Sequence, residues 1–74
     1  MKMQIDVNRD LGQLMKAMRI TAGLTQEQMA KALGMTRANV PNLESGRYNI
    51  YLHHLVRCAD KCGFVAQLVV KKKP

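Results

Sequence analysis

The chain has 74 residues, which is room for one domain, and its 12 Lys and Arg against 5 Asp and Glu give a net charge of +7. Such a charge favours nucleic acid or an anionic membrane as a partner, although some basic proteins bind no polyanion at all. No apolar run approaches the ~18 residues of a membrane span, and residues 1–7 are too short and polar for a signal peptide. We therefore expect one cytoplasmic domain (residues 1–74), and a dimer because so small a core is marginally stable.

Apolar residues recur at helical spacing in four segments, which predicts four helices joined by short turns. In chain order, the predicted helices cover residues 11–22, 26–33, 37–45 and 50–62. Their apolar stripes are expected to form the core, which would consist of Leu11, Leu14, Met15, Met18, Met29, Ala30, Leu33, Val40, Leu43, Leu52, Leu55, Val56, Ala59 and Cys62.

The ends of these helices carry signals of their own. Asp10 and Thr25 each precede a glutamine at the spacing of a capping box. Thr36 and Asn49 can cap the third and fourth helices. A glycine follows every predicted helix, where a left-handed backbone ends the helix without a Cβ penalty. These glycines are Gly23, Gly34, Gly46 and Gly63.

Two terminal segments have the pattern of strands. Residues 64–70 are rich in β-branched side chains and follow a glycine, which predicts a C-terminal strand. Residues 3–7 alternate apolar and polar side chains and are a weaker candidate. Since a lone strand leaves its backbone groups unpaired, the two segments pair with each other or residues 64–70 pair with a second copy. We favour a small sheet at a dimer interface.

The middle of the chain, LTQEQMAKALGMTRANVPNLESGR over residues 24–47, has the features of a helix-turn-helix at about residues 25–46. Two short helices at a steep angle need a small residue for close approach and a turn residue that tolerates positive φ. Ala30 supplies the first and Gly34 the second. Apolar residues that can lock the pair together are Met29, Leu33, Met35, Val40 and Leu43.

Residues 11–63 resemble the lambda-repressor and Cro type of helix-turn-helix domain, also called the Xre family. The most specific matching pieces are residues 23–26, Ala30, residues 33–34 and residues 42–47. The resemblance implies a mostly α-helical, compact bundle of four or five helices. It also implies a homodimer that places helix 3 in the major groove of a near-palindromic double-stranded operator.

The residue chemistry of helix 3 fits a DNA-reading face. Residues at offsets 0, 1, 4, 5 and 8 share one side of this helix, and these are Arg37, Ala38, Pro41, Asn42 and Ser45. Arg37 can donate two bonds to guanine, Asn42 can pair with adenine, and Ala38 is small enough to meet a thymine methyl. Asn39 lies at the flank, where a phosphate contact fits better. The complete predicted DNA-binding set is Gln26, Thr36, Arg37, Ala38, Asn39, Pro41, Asn42 and Arg47.

The resemblance assigns further roles. It implies that Gln26 contacts a phosphate and braces the start of helix 3, and that Arg47 contacts the DNA backbone. It also pairs Arg19 with Glu44 as an architectural ion pair beneath that helix.

Pro41 departs from the family pattern, which commonly has a polar residue in mid-helix. Because proline cannot donate to the Arg37 carbonyl, we expect helix 3 either to kink or to begin as a looser turn. Pro41 can also press on a thymine methyl.

Other site types find little support. His54, Cys58 and Cys62 share one helical stripe, but three ligands on one straight helix cannot close around an ion unaided. We therefore predict no metal and no cofactor. With five carboxylates, no nucleophile–base pair and no phosphate-binding glycine loop, the sequence does not indicate an enzyme.

The resemblance implies the function of a sequence-specific transcriptional regulator, a homodimeric repressor of its own operon. One alternative is an antitoxin that binds both DNA and a toxin protein. Another is a protein-interaction module of the same fold that has lost DNA binding.

Overall fold

The computed structural model describes residues 7–67 and 70–74, with residue 7 described for its backbone only. The four helices in this part are α1 (Val7–Thr21), α2 (Gln26–Leu33), α3 (Asn39–Glu44) and α4 (Leu52–Lys61). Both α1 and α2 pack against α3 and α4. None of these helices has the combination of length and apolar character that crossing a membrane requires. The prediction of a mostly α-helical bundle is confirmed in its four-helix form, and the described residues contain no fifth helix.

The start of α1 differs from the prediction. The helix begins at Val7, four residues before the predicted start, so Asp10 lies in its first turn and is not a cap. A carboxylate in the first turn is favoured by the positive end of the helix dipole. The predicted N-terminal strand is wrong at Val7, which is helical, and its residues 3–6 lie outside the described part of the chain.

Helix α2 has the predicted bounds because local signals fix both of its ends. The Thr25 hydroxyl accepts from the Gln28 N–H at 3.1 Å, and the Gln28 amide oxygen accepts from the Thr25 N–H at 2.8 Å. This is the predicted capping box. Gly34 ends the helix at φ 70°, a backbone conformation that L side chains rarely adopt. The other three predicted glycines also have positive φ.

Helix α3 begins at Asn39, two residues later than predicted. A tighter turn precedes it, in which the Asn39 N–H bonds to the Thr36 carbonyl at 3.0 Å and the Val40 N–H bonds to the Arg37 carbonyl at 3.1 Å. Pro41 therefore falls in the first turn of α3, where N–H groups lack intrahelical partners in any case. The start of α3 is therefore irregular, as expected, but as a tighter turn and not a looser one, and Thr36 contributes its carbonyl and no side-chain cap.

The core lies between the four helices and is rich in sulfur-containing residues. Met15, Met29, Val40 and Cys58 are fully buried. Leu14, Leu52 and Val56 were predicted to be buried, but their side chains are 47%, 59% and 46% exposed. The inward face of α4 includes Ala59, as predicted, and also Cys58, which was not predicted to be buried. Among the described residues, the buried hydrophobic side chains are those of Met15, Met18, Met29, Ala30, Leu33, Val40, Leu43, Cys58 and Ala59.

The start of α4 is fixed by a contact with α1. The helix begins at Leu52, and its N-cap, Tyr51, makes no side-chain capping bond. Asn49, the predicted cap, instead accepts a hydrogen bond from the Asn8 side-chain amide at 2.9 Å. The Asn8 amide oxygen accepts from the Ile50 N–H at 3.2 Å. One asparagine of α1 thus holds the segment that leads into α4.

The predicted C-terminal strand is wrong for the residues that are described. Residues 64–67 and 70 are neither helix nor strand, and residues 68–69 lie outside the described part. A strand requires a neighbouring strand for its backbone groups, and residues 7–67 and 70–74 of this chain offer none. The segment instead continues from α4, where the Phe64 N–H bonds to the Ala59 carbonyl at 2.8 Å and Ala66 packs against the core.

Candidate nucleic-acid interface

The predicted DNA-binding residues lie on α3, on the turn before it, and at the neighbouring ends of α2 and the following loop. Among them, Gln26, Asn39 and Asn42 are half-buried. The exposed ones are Thr36, Arg37, Ala38, Pro41 and Arg47. Helix α3 buries Val40, Leu43 and Glu44 on its other side. The predicted division of this region into a buried side and a polar, accessible side is therefore present, although Arg37 and Ala38 belong to the turn.

Arg19 and Glu44 form a bidentate ion pair beneath α3. Arg19 Nε lies 2.7 Å from Glu44 Oε2, and Arg19 Nη2 donates to Oε1 at 3.2 Å. The third guanidinium nitrogen, Nη1, donates to the Leu24 carbonyl at 3.0 Å. The Glu44 hydrogen bond raises the pKa of Arg19 despite opposition from burial. The pair thereby joins the last residue of α3 to α1 and to the loop before α2.

Gln26, the first residue of α2, extends this arrangement. Its side-chain Nε2 donates to Glu44 Oε1 at 3.4 Å. The resemblance implied a brace at the start of the recognition helix, whereas the observed contact is with the last residue of α3. Within the described residues the Gln26 amide oxygen has no hydrogen bond of its own, and one hydrogen of Nε2 remains available to a ligand.

Asn42 organises the end of α3 in a way that the sequence did not indicate. Its carbonyl accepts from the Ser45 hydroxyl at 3.2 Å and from the N–H groups of Arg47 at 3.0 Å and Tyr48 at 3.3 Å. The Asn42 side chain donates to the Ala38 carbonyl at 3.1 Å, which holds its amide against the helix backbone. The second hydrogen of this amide and its oxygen are left, and these are the two groups that a bidentate contact with adenine needs.

An open groove of about 420 Å³ lies beside this face. Asn39 and Arg47 line it together with aromatic residues that sequence reasoning did not assign. Tyr48 and Tyr51 are 48% and 59% exposed. The groove also contains Met35, Leu43, Asn49 and His54. The cluster of two tyrosines and two histidines over residues 48–54 is the sequence signal that could have identified it.

The surroundings of His54 favour its neutral form. Its Nδ1 atom is buried and has no hydrogen-bond partner among the described residues. Burial lowers the pKa of His54, and the nearby His53 and Arg57 lower it further. A charged imidazole would therefore be disfavoured at this site.

The two cysteines are free and differ in accessibility. Cys58 is fully buried, and its thiol lies 3.9 Å from the Met15 carbonyl oxygen. Burial, reinforced by the neighbouring Cys62, raises the pKa of the Cys58 thiol to about 12. In the described part of the chain, no three His, Cys, Asp or Glu side chains come together in a way that could hold a metal ion.

Two short helices joined by a tight glycine turn, with accessible Arg and Asn side chains at the second helix, define a helix-turn-helix domain. The family model described as "Helix-turn-helix domain" matches residues 10–70. The chain therefore belongs to the helix-turn-helix domain family, a class of DNA-binding domain.

The solved structures include a similar fold. The chain is similar to the clp gene regulator ClgR from C. glutamicum, with a TM-score of 0.73 and 20% sequence identity. The similarity covers 86% of this chain and 81% of ClgR, which supports the helix-turn-helix fold. No curated protein sequence matches the chain.

Proposed function

We propose that this chain is a sequence-specific transcriptional regulator of the Xre type, which reads the major groove through α3 and the turn before it. The observation that carries the proposal is the position of Arg37 and Asn42. Arg37 is exposed in the turn before α3 and Asn42 is half-buried in α3, whereas Val40 and Leu43, from the same segment, are buried in the core. The core thus fixes the orientation of the face that would enter the groove.

Within this proposal, base contacts and phosphate contacts fall on different residues. Arg37 donates two hydrogen bonds to guanine, and Asn42 uses its amide oxygen and remaining hydrogen for adenine. Ala38 and Pro41 present apolar surface to thymine methyl groups. Contacts with the DNA backbone, which set register but carry no sequence information, come from Gln26, Thr36, Asn39 and Arg47.

We further propose a homodimer that represses its own operon from a near-palindromic operator, with half-sites about 34 Å apart. An apolar groove of about 330 Å³ between α1, α4 and the C-terminal segment supports a protein partner. Leu14, Phe64 and Val65 line it and are 47%, 43% and 84% exposed. Covering such side chains would stabilise a dimer by about 25 cal/mol for each Å² of apolar surface buried.

Selection of bound sequences from a random duplex pool, followed by fluorescence anisotropy, tests the DNA-binding proposal. The DNA upstream of the gene is included, and binding is measured at two salt concentrations. We expect Arg37→Ala to weaken binding to the selected site by about 1–3 kcal/mol and to relax selection at one base pair. Arg57→Ala removes an exposed arginine from α4 and serves as the matched control. Equal weak binding to all duplexes, lost at the higher salt, would contradict sequence-specific recognition.

Sedimentation equilibrium tests the homodimer. We expect a dimer that Val65→Glu dissociates, because the substitution places a charge in the apolar groove. A wild-type chain that stays monomeric would refute homodimerisation and favour a different protein, such as a toxin, as the occupant of the groove.

A further inference from the structure

A small surface cavity lies where α1, α2 and α3 meet. It measures about 170 Å³ and is lined by Lys16, Gln26, Pro41, Glu44 and Ser45. Gln26 and Pro41 belong to the proposed DNA-binding surface, Glu44 belongs to the ion pair beneath it, and Ser45 lies four residues after Pro41 on the same side of that segment. Lys16 comes from α1, a helix to which neither the sequence nor the resemblance assigned a DNA contact.

The charge of Lys16 is not neutralised by the carboxylate of this cavity. Both oxygens of Glu44 are engaged, Oε2 by Arg19 Nε and Oε1 by Arg19 Nη2 and Gln26 Nε2. Because the Arg19–Glu44 pair is electrically neutral as a unit, the net charge at the cavity is that of the Lys16 ammonium. Lys16 is exposed and forms no ion pair within residues 7–67 and 70–74.

We propose that Lys16 binds a backbone phosphate of the operator at the mouth of this cavity. The inference rests on the proposed function, since it requires α3 to lie in the major groove. Pro41 and Ser45 line the cavity together with Lys16, so a duplex that faces Pro41 and Ser45 would bring the strand bordering the groove close to Lys16. A flexible lysine can then reach a phosphate oxygen as a point charge. The Gln26 amide, which has one free hydrogen, contacts the same phosphate or the next one.

A lysine that contacts only phosphate has a distinctive signature. Each neutralised phosphate adds about 0.9 to the slope of log affinity against log salt. Removing Lys16 should therefore lower that slope by about 0.9 for each bound subunit. It should weaken binding to every duplex by the same factor, and leave the selected sequence unchanged. This differs from Arg37→Ala, which should change the selected sequence.

The experiment compares Lys16→Gln, Lys16→Arg and Lys61→Gln on the selected duplex, from about 50 to about 200 mM salt. Lys61→Gln is the matched control because it removes the same charge from the end of α4. Lys61 lines a separate groove with Leu24 and Gln28. Between these two salt concentrations, we expect the affinity of Lys16→Gln to fall by a factor that is about 3-fold smaller, per subunit, than the factor for the wild type. Lys16→Arg and Lys61→Gln should retain the wild-type slope.

Methylphosphonate substitution of single phosphates then locates the contact. At one position, the neutral linkage should weaken the wild type and have no further effect on Lys16→Gln. Two results would refute the Lys16 contact while the proposed function stands. One is a salt slope of Lys16→Gln equal to that of Lys61→Gln. The other is that every neutral linkage weakens DNA binding by Lys16→Gln as much as it weakens binding by the wild type. If the wild type selects no sequence, the proposed function fails and the Lys16 contact falls with it.

Discussion

Replacing Arg19 with methionine tests how much the buried ion pair contributes to the position of α3. The substitution keeps an unbranched side chain but removes two hydrogen bonds to Glu44 and one to the Leu24 carbonyl. The Glu44 side chain is only 4% exposed, so its carboxylate would be left buried with the Gln26 amide as its remaining partner. Removing one partner of a buried pair costs about 3–5 kcal/mol.

This cost is large relative to the stability of so small a domain. At roughly 0.05–0.15 kcal/mol per residue, 74 residues correspond to about 4–11 kcal/mol in total. Urea unfolding followed by far-UV circular dichroism measures the difference. We expect Arg19→Met to shift the midpoint far toward lower urea, and Arg19→Met combined with Glu44→Leu to recover part of the loss, because no buried charge is then left unpaired.

The result that would refute this reasoning is a small effect. Exposed ion pairs contribute about 0–1 kcal/mol. A loss in that range for Arg19→Met would mean that water or a rearranged side chain solvates Glu44. Strict additivity of the two single substitutions would likewise show that the residues do not act as a pair.

Three further outcomes follow from the packing. Gly12→Ala should lower the free energy of unfolding, measured in urea, by about 1–3 kcal/mol, because the new Cβ would clash with the Leu43 carbonyl oxygen. A more stable variant, as helix propensity alone would give, would refute this. Because the pKa of His54 is lowered from 6.5 in the folded state, the free energy of unfolding should fall as the pH drops below 6.5. His54→Gln should remove this loss, and a variant with the same pH profile as the wild type would contradict the prediction. A thiol reagent should modify Cys62 in the native protein but Cys58 only after unfolding; equal rates would show that Cys58 is accessible.

Where a boundary depends on neighbouring residues alone, the sequence was sufficient to predict it. Helix α2 has both of its ends as predicted because Thr25 and Gly34 act within one turn of it. The start of α4 was wrong for the opposite reason. Asn8 bonds to Asn49 and Ile50, which are 41 and 42 residues away, and a contact of this kind has no local signature.

The same distinction applies to the candidate site. The spacing of residues on helix 3 was enough to separate Val40 and Leu43, which are buried, from the accessible side chains. It could not predict the cavity beside Lys16, because that cavity forms only where three helices meet. The inward face of α4 was predicted only in part. Ala59 is buried as predicted, but Leu52 and Val56 are exposed although they are as apolar as a core residue, and packing alone places Cys58 inside.

The shortness of α3 has a consequence for recognition. Of its six residues, Val40, Leu43 and Glu44 are buried, which leaves Asn39, Pro41 and Asn42 to face a ligand. In the proposed mode, the remaining base contacts must therefore come from the turn at residues 37–38, whose geometry is fixed by hydrogen bonds to the carbonyls at positions 36 and 37. Pro41 is compatible with this start because it lies in the first turn of α3, where an N–H has no partner within the helix. In this proposed mode, specificity would depend on the conformation of the turn as much as on the side chains of the helix. A change that alters the turn would then change the selected sequence even with every contacting side chain in place.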